Sequence, residues 1–336
     1  MKRKLFVGHN SPGEKIYKGT EHELAHMYGL QDFGLVKGPP GGGKGEFVER
    51  VTNNPIFDGH LQDNYMCSGT EDARDGVVFP KLGIGYIDAT KPHEVNPSDL
   101  PEGVGRDIDL HASVYEEMKP NPDKLSKIMG RRLEYYAESN KHMTEALKSK
   151  EPYIAPNPKE VEYLFQQYDK ILTKIGAKKD PKLIDVFIQS LMSSGRKDMT
   201  NSWAEPGNTV LMPCSEETTS EVVRLLAQKY GGYIHKHWFE PEKMHEGAYI
   251  SLNGDGGDGG IIFKQHPGFE KKMDGEHLEK AVTALQGADI VMHQEIEALY
   301  ANTSKRKVVN YERNNALIKQ EIDRHTKAAT TGTENV

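Results

Sequence analysis

Apolar residues recur every three or four positions through the middle of this chain, a period that predicts helices. From Asp123 to Ser149, Leu125, Ile128, Met129, Leu133, Tyr136, Met143 and Leu147 fall on one broad face. Pro152, Pro156 and Pro158 interrupt the pattern, and a second predicted helix then runs from Pro158 to Ile175. Its repeating positions are Val161, Leu164, Phe165, Tyr168, Leu172 and Ile175. Pro158 suits a first helical turn and Gly176 a C-terminal cap. Pro181 opens a third predicted helix, with Ile184, Phe187, Ile188 and Leu191 turned inward. The expected core of this segment is Leu133, Leu164, Phe165, Tyr168 and Ile188.

The flanking segments read differently. Up to about Pro122 the chain is loop-rich and weakly periodic, with strands expected at Lys4–Val7, Gly34–Lys37 and Gly83–Asp88 and a short helix at Glu21–Tyr28. The last third alternates. A strand at Thr209–Met212 leads to an amphipathic helix over Glu216–Tyr230, which Gly231 and Gly232 stop. A strand at Tyr233–Phe239 follows, then a hairpin of Ala248–Leu252 with Ile261–Gln265. Helices are expected over Glu276–Leu285, His293–Tyr300 and Tyr311–Lys327. The sum is an α/β or α+β protein in three segments: a loop-rich α/β segment over 1–122, a helical one over 123–195, and an α+β one over 196–336 that carries the hairpin and a C-terminal helix. In that last helix Leu317, Ile318 and Ile322 form a thin apolar stripe among charges. Such a stripe predicts contact with a second copy or another assembly partner rather than firm packing on its own domain.

Composition narrows the classes. The chain has 336 residues, 36% of them hydrophobic and 28% charged, enough for a core but a modest one. No run of apolar residues is long enough to span a membrane, and the basic start lacks the apolar stretch of a signal peptide. A net charge of −7 without a basic block argues against nucleic acid or anionic lipid as partner. Two cysteines, Cys67 and Cys214, fit a reducing compartment, so the expected location is cytoplasmic.

One stretch carries the sharpest chemistry: Phe33-Gly-Leu-Val-Lys-Gly-Pro-Pro-Gly-Gly-Gly-Lys-Gly-Glu-Phe-Val-Glu-Arg-Val51. Glycines let successive backbone N–H groups turn toward a phosphate, and a lysine at the following helix start neutralises its oxygens. Over about these residues the chain resembles the phosphate loop of adenylate kinase-type nucleotide kinases, which read Gly-Pro-Pro-Gly-x-Gly-Lys-Gly; Glu46 stands where that family has threonine. The resemblance implies a nucleotide-binding protein, a phosphotransferase or NTPase using Mg²⁺ with ATP or GTP. Gly38, Gly41, Gly42, Gly43, Lys44 and Gly45 would hold the phosphates. Leu82–Asp88 reads as a buried strand ending in an aspartate, so that Asp88 would direct the magnesium, with Lys44 at the β- and γ-phosphates. Gly130-Arg131-Arg132 offers cations for a phosphate clamp.

Two other constellations compete. His22-Glu-Leu-Ala-His26 puts two imidazoles one turn apart on a helix, where they can ligate zinc with Glu23 as general base. With Gly29 and Asp32 the run resembles the metzincin metallopeptidase pattern, and Met66 that family's methionine turn. The resemblance implies a zinc hydrolase with His22, His26 and Asp32 as ligands. His235 and His237 alternate onto one strand face, near Glu242, His245 and His266 in sequence. Asp32-Phe-Gly, the run Lys272-Met-Asp-Gly and the aspartates Asp255 and Asp258 carry no complete motif. Three readings therefore stand: nucleotide phosphotransferase or NTPase, zinc hydrolase, and non-catalytic assembly protein.

Overall fold

The computed structural model describes residues 2–6, 8–9, 18–19, 21–70, 73–90, 94–111, 121–148, 155–174, 183–199, 202, 209–211, 216–236, 249–252, 261–264, 275–296 and 310–332. The chain groups into two interleaved units rather than consecutive segments. The first holds Met1–Arg3, Gly19–Tyr136 and Leu285–Val336, and the second Lys4–Lys18 and Ala137–Ala284.

In chain order the elements begin with β1 (Lys2–Phe6), β2 (Gly8–His9), β3 (Lys18–Gly19), α1 (Glu21–Tyr28), β4 (Asp32–Lys37) and α2 (Lys44–Thr52). Next come β5 (Gln62–Met66), β6 (Arg74–Phe79), β7 (Ile84–Asp88), β8 (Gly105–Asp109), α3 (Pro122–Lys148) and α4 (Pro158–Lys174). Then follow β9 (Leu183–Phe187), β10 (Gln189–Met192), β11 (Gly195–Asp198), β12 (Thr209–Leu211), α5 (Glu216–Tyr230) and β13 (Gly232–Lys236). The last are β14 (Tyr249–Leu252), β15 (Ile261–Lys264), α6 (Gly275–Ile290) and α7 (Tyr311–Gly332). The mixed α/β character expected from the sequence holds.

The first unit is organised on strands in the order β5-β6-β7-β4-β8. β4 lies between β7 and β8 and runs parallel to both, while β5 and β6 are antiparallel. A central parallel strand is covered on both faces, and the apolar interior of Asp-Phe-Gly-Leu-Val-Lys meets that demand. One face packs Val36, Val77, Phe79, Tyr86, Ile108 and Leu110 against Phe47, Val48 and Val51 of α2. β5 is the exception in composition: Gln-Asp-Asn-Tyr-Met is polar yet wholly buried. Its charge is compensated, because Arg3 donates from Nε (2.5 Å) and Nη2 (2.6 Å) to Asp63, which also accepts from the Tyr28 hydroxyl at 2.8 Å.

The C-terminal helix corrects an expectation. Ile318 is buried in the same core as Phe47 and Tyr86, with Leu317 and Ile322 packed against it. The thin stripe is thus used inside the first unit. Polar contacts supply what the stripe lacks. Tyr86 donates to Glu321 at 3.0 Å and its hydroxyl meets His325 Nε2 at 2.5 Å. Arg106 forms a bidentate pair with Glu321, one arm at 2.8 Å, and its Nε reaches Asp32 at 2.8 Å. Arg324 adds a contact to Asp32 at 3.2 Å.

In the second unit the strands run β12-β14-β15-β13-β9, with β9 and β15 parallel to β13 and β14 antiparallel to β15. The β14–β15 pair is the hairpin expected from the sequence. α4 and α5 pack Val161, Tyr168 and Leu172 on Val222, Val223, Leu226, Ala227 and Tyr230, with Leu164 and Phe165 alongside. Two expectations for the middle of the chain fail. The third helix after Pro181 is instead β9 and β10, because Leu-Ile-Asp-Val-Phe is a short apolar run rich in β-branched residues that pairs in parallel with β13. Leu133, expected in the core, is 44% exposed.

Two outcomes follow for α7. Ile318→Ala should lower the denaturant midpoint, with a cost of about 2–5 kcal/mol for truncating a buried aliphatic side chain. Burial holds the His325 imidazole below its usual pKa; Asp32 opposes this and Arg106 adds to it. The unfolded chain therefore binds more protons than the folded one below about pH 6.5, and stability should fall as pH drops through that value. Denaturation between pH 7.5 and 5.5 should show the slope, and His325→Gln should flatten it.

Candidate phosphate-binding site

β4 ends at Lys37, and the chain turns through Gly38–Gly43 into α2. Gly41 and Gly43 have φ of 73° and 83°, backbone that side chains with a Cβ rarely adopt. Gly42 donates to the Pro39 carbonyl at 2.9 Å, and a Cβ there would stand 2.9 Å from that oxygen. Gly43 then starts α2 without a side-chain cap. The first amides of α2 are thus left facing outward at the positive end of the helix dipole.

Lys44 folds back over this turn. Its Nζ donates to the carbonyls of Gly38 (2.9 Å) and Pro39 (3.2 Å) and lies 3.5 Å from Asp88 Oδ2. Asp88 ends β7, the parallel neighbour of β4, and Val36 pairs with it in register. Thr90 fixes the other carboxylate oxygen, donating from its N–H (2.9 Å) and its hydroxyl (2.5 Å). Gly38, Gly41, Gly42, Gly43, Lys44, Gly45 and Asp88 therefore share the edge where the parallel strands end, the edge at which open α/β sheets bind ligands. Glu46 points away along α2, 3.7 Å from Arg50. Lys37, charged within a buried strand, is satisfied by Asn96 and Asp107, each at 2.9 Å.

Sequence reasoning missed Thr90, which orients Asp88, and Arg74, whose carbonyl lies 3.5 Å from a Cβ built at Gly45. A threonine two residues after an aspartate that ends a strand is the only signal Thr90 offered. Arg74 sits in a polar stretch that did not read as a strand.

The zinc constellation is described only in part. α1 forms as expected and His26 is exposed on it; the side chains of His22 and Glu23 lie outside the described residues. The carboxylate of Asp32 is held by Arg106 and Arg324. Met66 closes β5, buried. Among the described residues no group of three His, Cys, Asp or Glu side chains is arranged to hold a metal ion. The backbone of His235 lies in β13, while His237, Glu242, His245, His266, Asp255, Asp258, Lys272 and Cys214 fall outside the described residues.

Cys67 follows β5 at the same edge as the phosphate loop. Burial is the main cause that pushes its thiol well above the usual range; Asp75 adds to this and Arg132 opposes it. No helix among the described residues is long and apolar enough to cross a membrane. No family model, curated protein or solved structure matches the chain.

A thiol held protonated is a poor nucleophile. Iodoacetamide at pH 8 should label Cys67 at least tenfold more slowly in the folded protein than in denaturant. Mass spectrometry of the Cys67 peptide over time measures the ratio.

Proposed function

We propose that the first unit binds a nucleoside triphosphate with Mg²⁺ and acts as a phosphotransferase or NTPase. The observation that supports this is the Lys44–Asp88 arrangement: a strand–glycine turn–helix whose lysine sits 3.5 Å from a carboxylate on the adjoining parallel strand. A surface loop of the same composition would have no reason to place that pair, or to keep the Lys44 and Asp88 side chains only 13% and 18% exposed. The geometry also suits the chemistry. The N–H groups of Gly43, Lys44 and Gly45 would take phosphate oxygens, and Lys44 would exchange its bonds to the Gly38 and Pro39 carbonyls for the β- and γ-phosphates. Asp88, oriented by Thr90, would hold the magnesium through its free-facing oxygen or a bound water. Magnesium, when bound, neutralises charge on the phosphates and aligns them for in-line attack. ATP and GTP both fit this reading, since the loop contacts only phosphates.

Calorimetry with Mg²⁺ and ATP or GTP tests it. Wild type should bind at micromolar to millimolar concentration, and Lys44→Ala should weaken binding by at least tenfold while the circular dichroism spectrum stays unchanged. Asp88→Asn should remove the magnesium dependence. A wild-type melt that does not move at millimolar nucleotide would overturn the reading.

A further inference from the structure

A second cation, Arg132, stands at the same edge of the first unit. β5 ends at Met66, which pairs with Arg74 of β6, so the turn Cys67–Thr70 lies at the edge that carries the phosphate loop. Arg132 and Tyr136 of α3 rest on that turn. A Cβ added at Gly69 would stand 2.5 Å from the Tyr136 hydroxyl and 2.9 Å from Arg132 Nη2. Glycine at position 69 is therefore what lets the guanidinium come down onto the turn.

The guanidinium is positioned by Tyr136, while Asp75 and Asp289 act on the cluster only through space. Nη2 donates to the Tyr136 hydroxyl at 2.9 Å, and the group lies 5.2 Å over the Tyr136 ring. Nε is buried with no hydrogen-bond partner. No ion pair to Arg132 occurs among the described residues. Cys67 cannot supply the missing charge, because its thiol is held protonated. Tyr136 cannot either, since burial raises its hydroxyl as well. A half-buried arginine held by a tyrosine and an aromatic face, with its Nε unbonded, is suited to receive an oxyanion.

We propose that Arg132 is the anchor of a second anion site, distinct from the phosphate loop, which takes the phosphate group of a second substrate. β5 lies two strands from β7, about 10 Å at ordinary strand spacing. An anion at Arg132 is therefore separate from the phosphates that the loop would cradle. It lies on the β7 side of the loop, the side to which Asp88 would direct the terminal phosphate. That assignment of the second substrate rests on the nucleotide reading above; the anion site itself does not.

Inorganic phosphate is the probe, added to Lys44→Ala protein so that the phosphate loop does not report. Thermal melts at constant ionic strength should rise with phosphate in this variant, and the added Arg132→Gln substitution should weaken the apparent affinity at least tenfold. Arg132→Lys should recover part of the loss, which a merely structural role for the side chain would not produce. Acetate at equal concentration should give no comparable shift; an equal shift would overturn the assignment to phosphate. In the otherwise wild-type chain, Arg132→Gln should leave Mg²⁺–nucleotide affinity within about twofold. Phosphate affinity that is unchanged by Arg132→Gln, or abolished by Lys44→Ala alone, would overturn the second site and leave the nucleotide reading standing. Phosphate binding that depends on Arg132 in a protein that binds no nucleotide would support the anion site and remove the phosphotransferase.

Discussion

Tyr86 lies where a side chain at position 34 would have to stand. A Cβ built on Gly34 would sit 2.6 Å from Tyr86 Cδ1 and 2.8 Å from Ile108 Cδ1. Strand β4 is therefore crossed at its centre by a ring from β7, and the glycine in Asp-Phe-Gly-Leu-Val-Lys is a packing requirement. The ring carries its hydroxyl to Glu321 and His325, so the same close approach that joins the parallel strands also fixes the C-terminal helix. Arg106 completes the tie from β8, bridging Asp32 and Glu321. Buried charges in such a cluster cost desolvation, and they persist here because each is met by several bonds. Burial keeps the Tyr86 hydroxyl protonated, and Glu321 reinforces that.

The two ends of β4 carry different duties. Its first residue, Asp32, is committed to arginines from β8 and α7. Beyond its last, Lys37, the glycine turn begins. The run Asp32-Phe-Gly, which completes no motif in the sequence, is thus explained by architecture: an acid to seat a helix, an apolar ring for the core and a glycine to admit Tyr86. The proposed phosphate site inherits its rigidity from this strand and from α2, whose Phe47, Val48 and Val51 are fully packed.

Long periodic helices and the strand–turn–helix of the glycine loop were legible because each is a local pattern. Pro158 and the repeat through Leu172 located α4, and Glu216–Tyr230 matched α5. Strands β5, β6 and β8 were not legible. Gln-Asp-Asn-Tyr-Met and Gly-Arg-Asp-Ile-Asp hold polar residues whose partners are distant in sequence, such as Arg3 for Asp63, 60 residues away. The C-terminal helix failed for the same reason. Its stripe of three apolar residues was counted correctly, but Tyr86, Arg106 and Asp32 add the rest of its hold, and no window along the chain shows them. Residues 183–187 failed differently: five mostly apolar residues satisfy both periods, and only the parallel neighbour decides between them.

That long-range hold has a consequence for biosynthesis. Glu321 is 235 residues from the tyrosine it accepts a hydrogen bond from. At about 5–20 residues per second, translation leaves the partly made first unit waiting roughly 10 to 50 seconds for its closing helix. During that interval the larger part of the second unit, Ala137–Ala284, is being threaded out, while the apolar face of Val36, Tyr86 and Ile108 lacks Ile318 above it. The nascent chain thus carries an unfinished hydrophobic surface through most of its own synthesis, a natural client for a ribosome-associated chaperone and the point at which slow codons or premature release would be felt as aggregation.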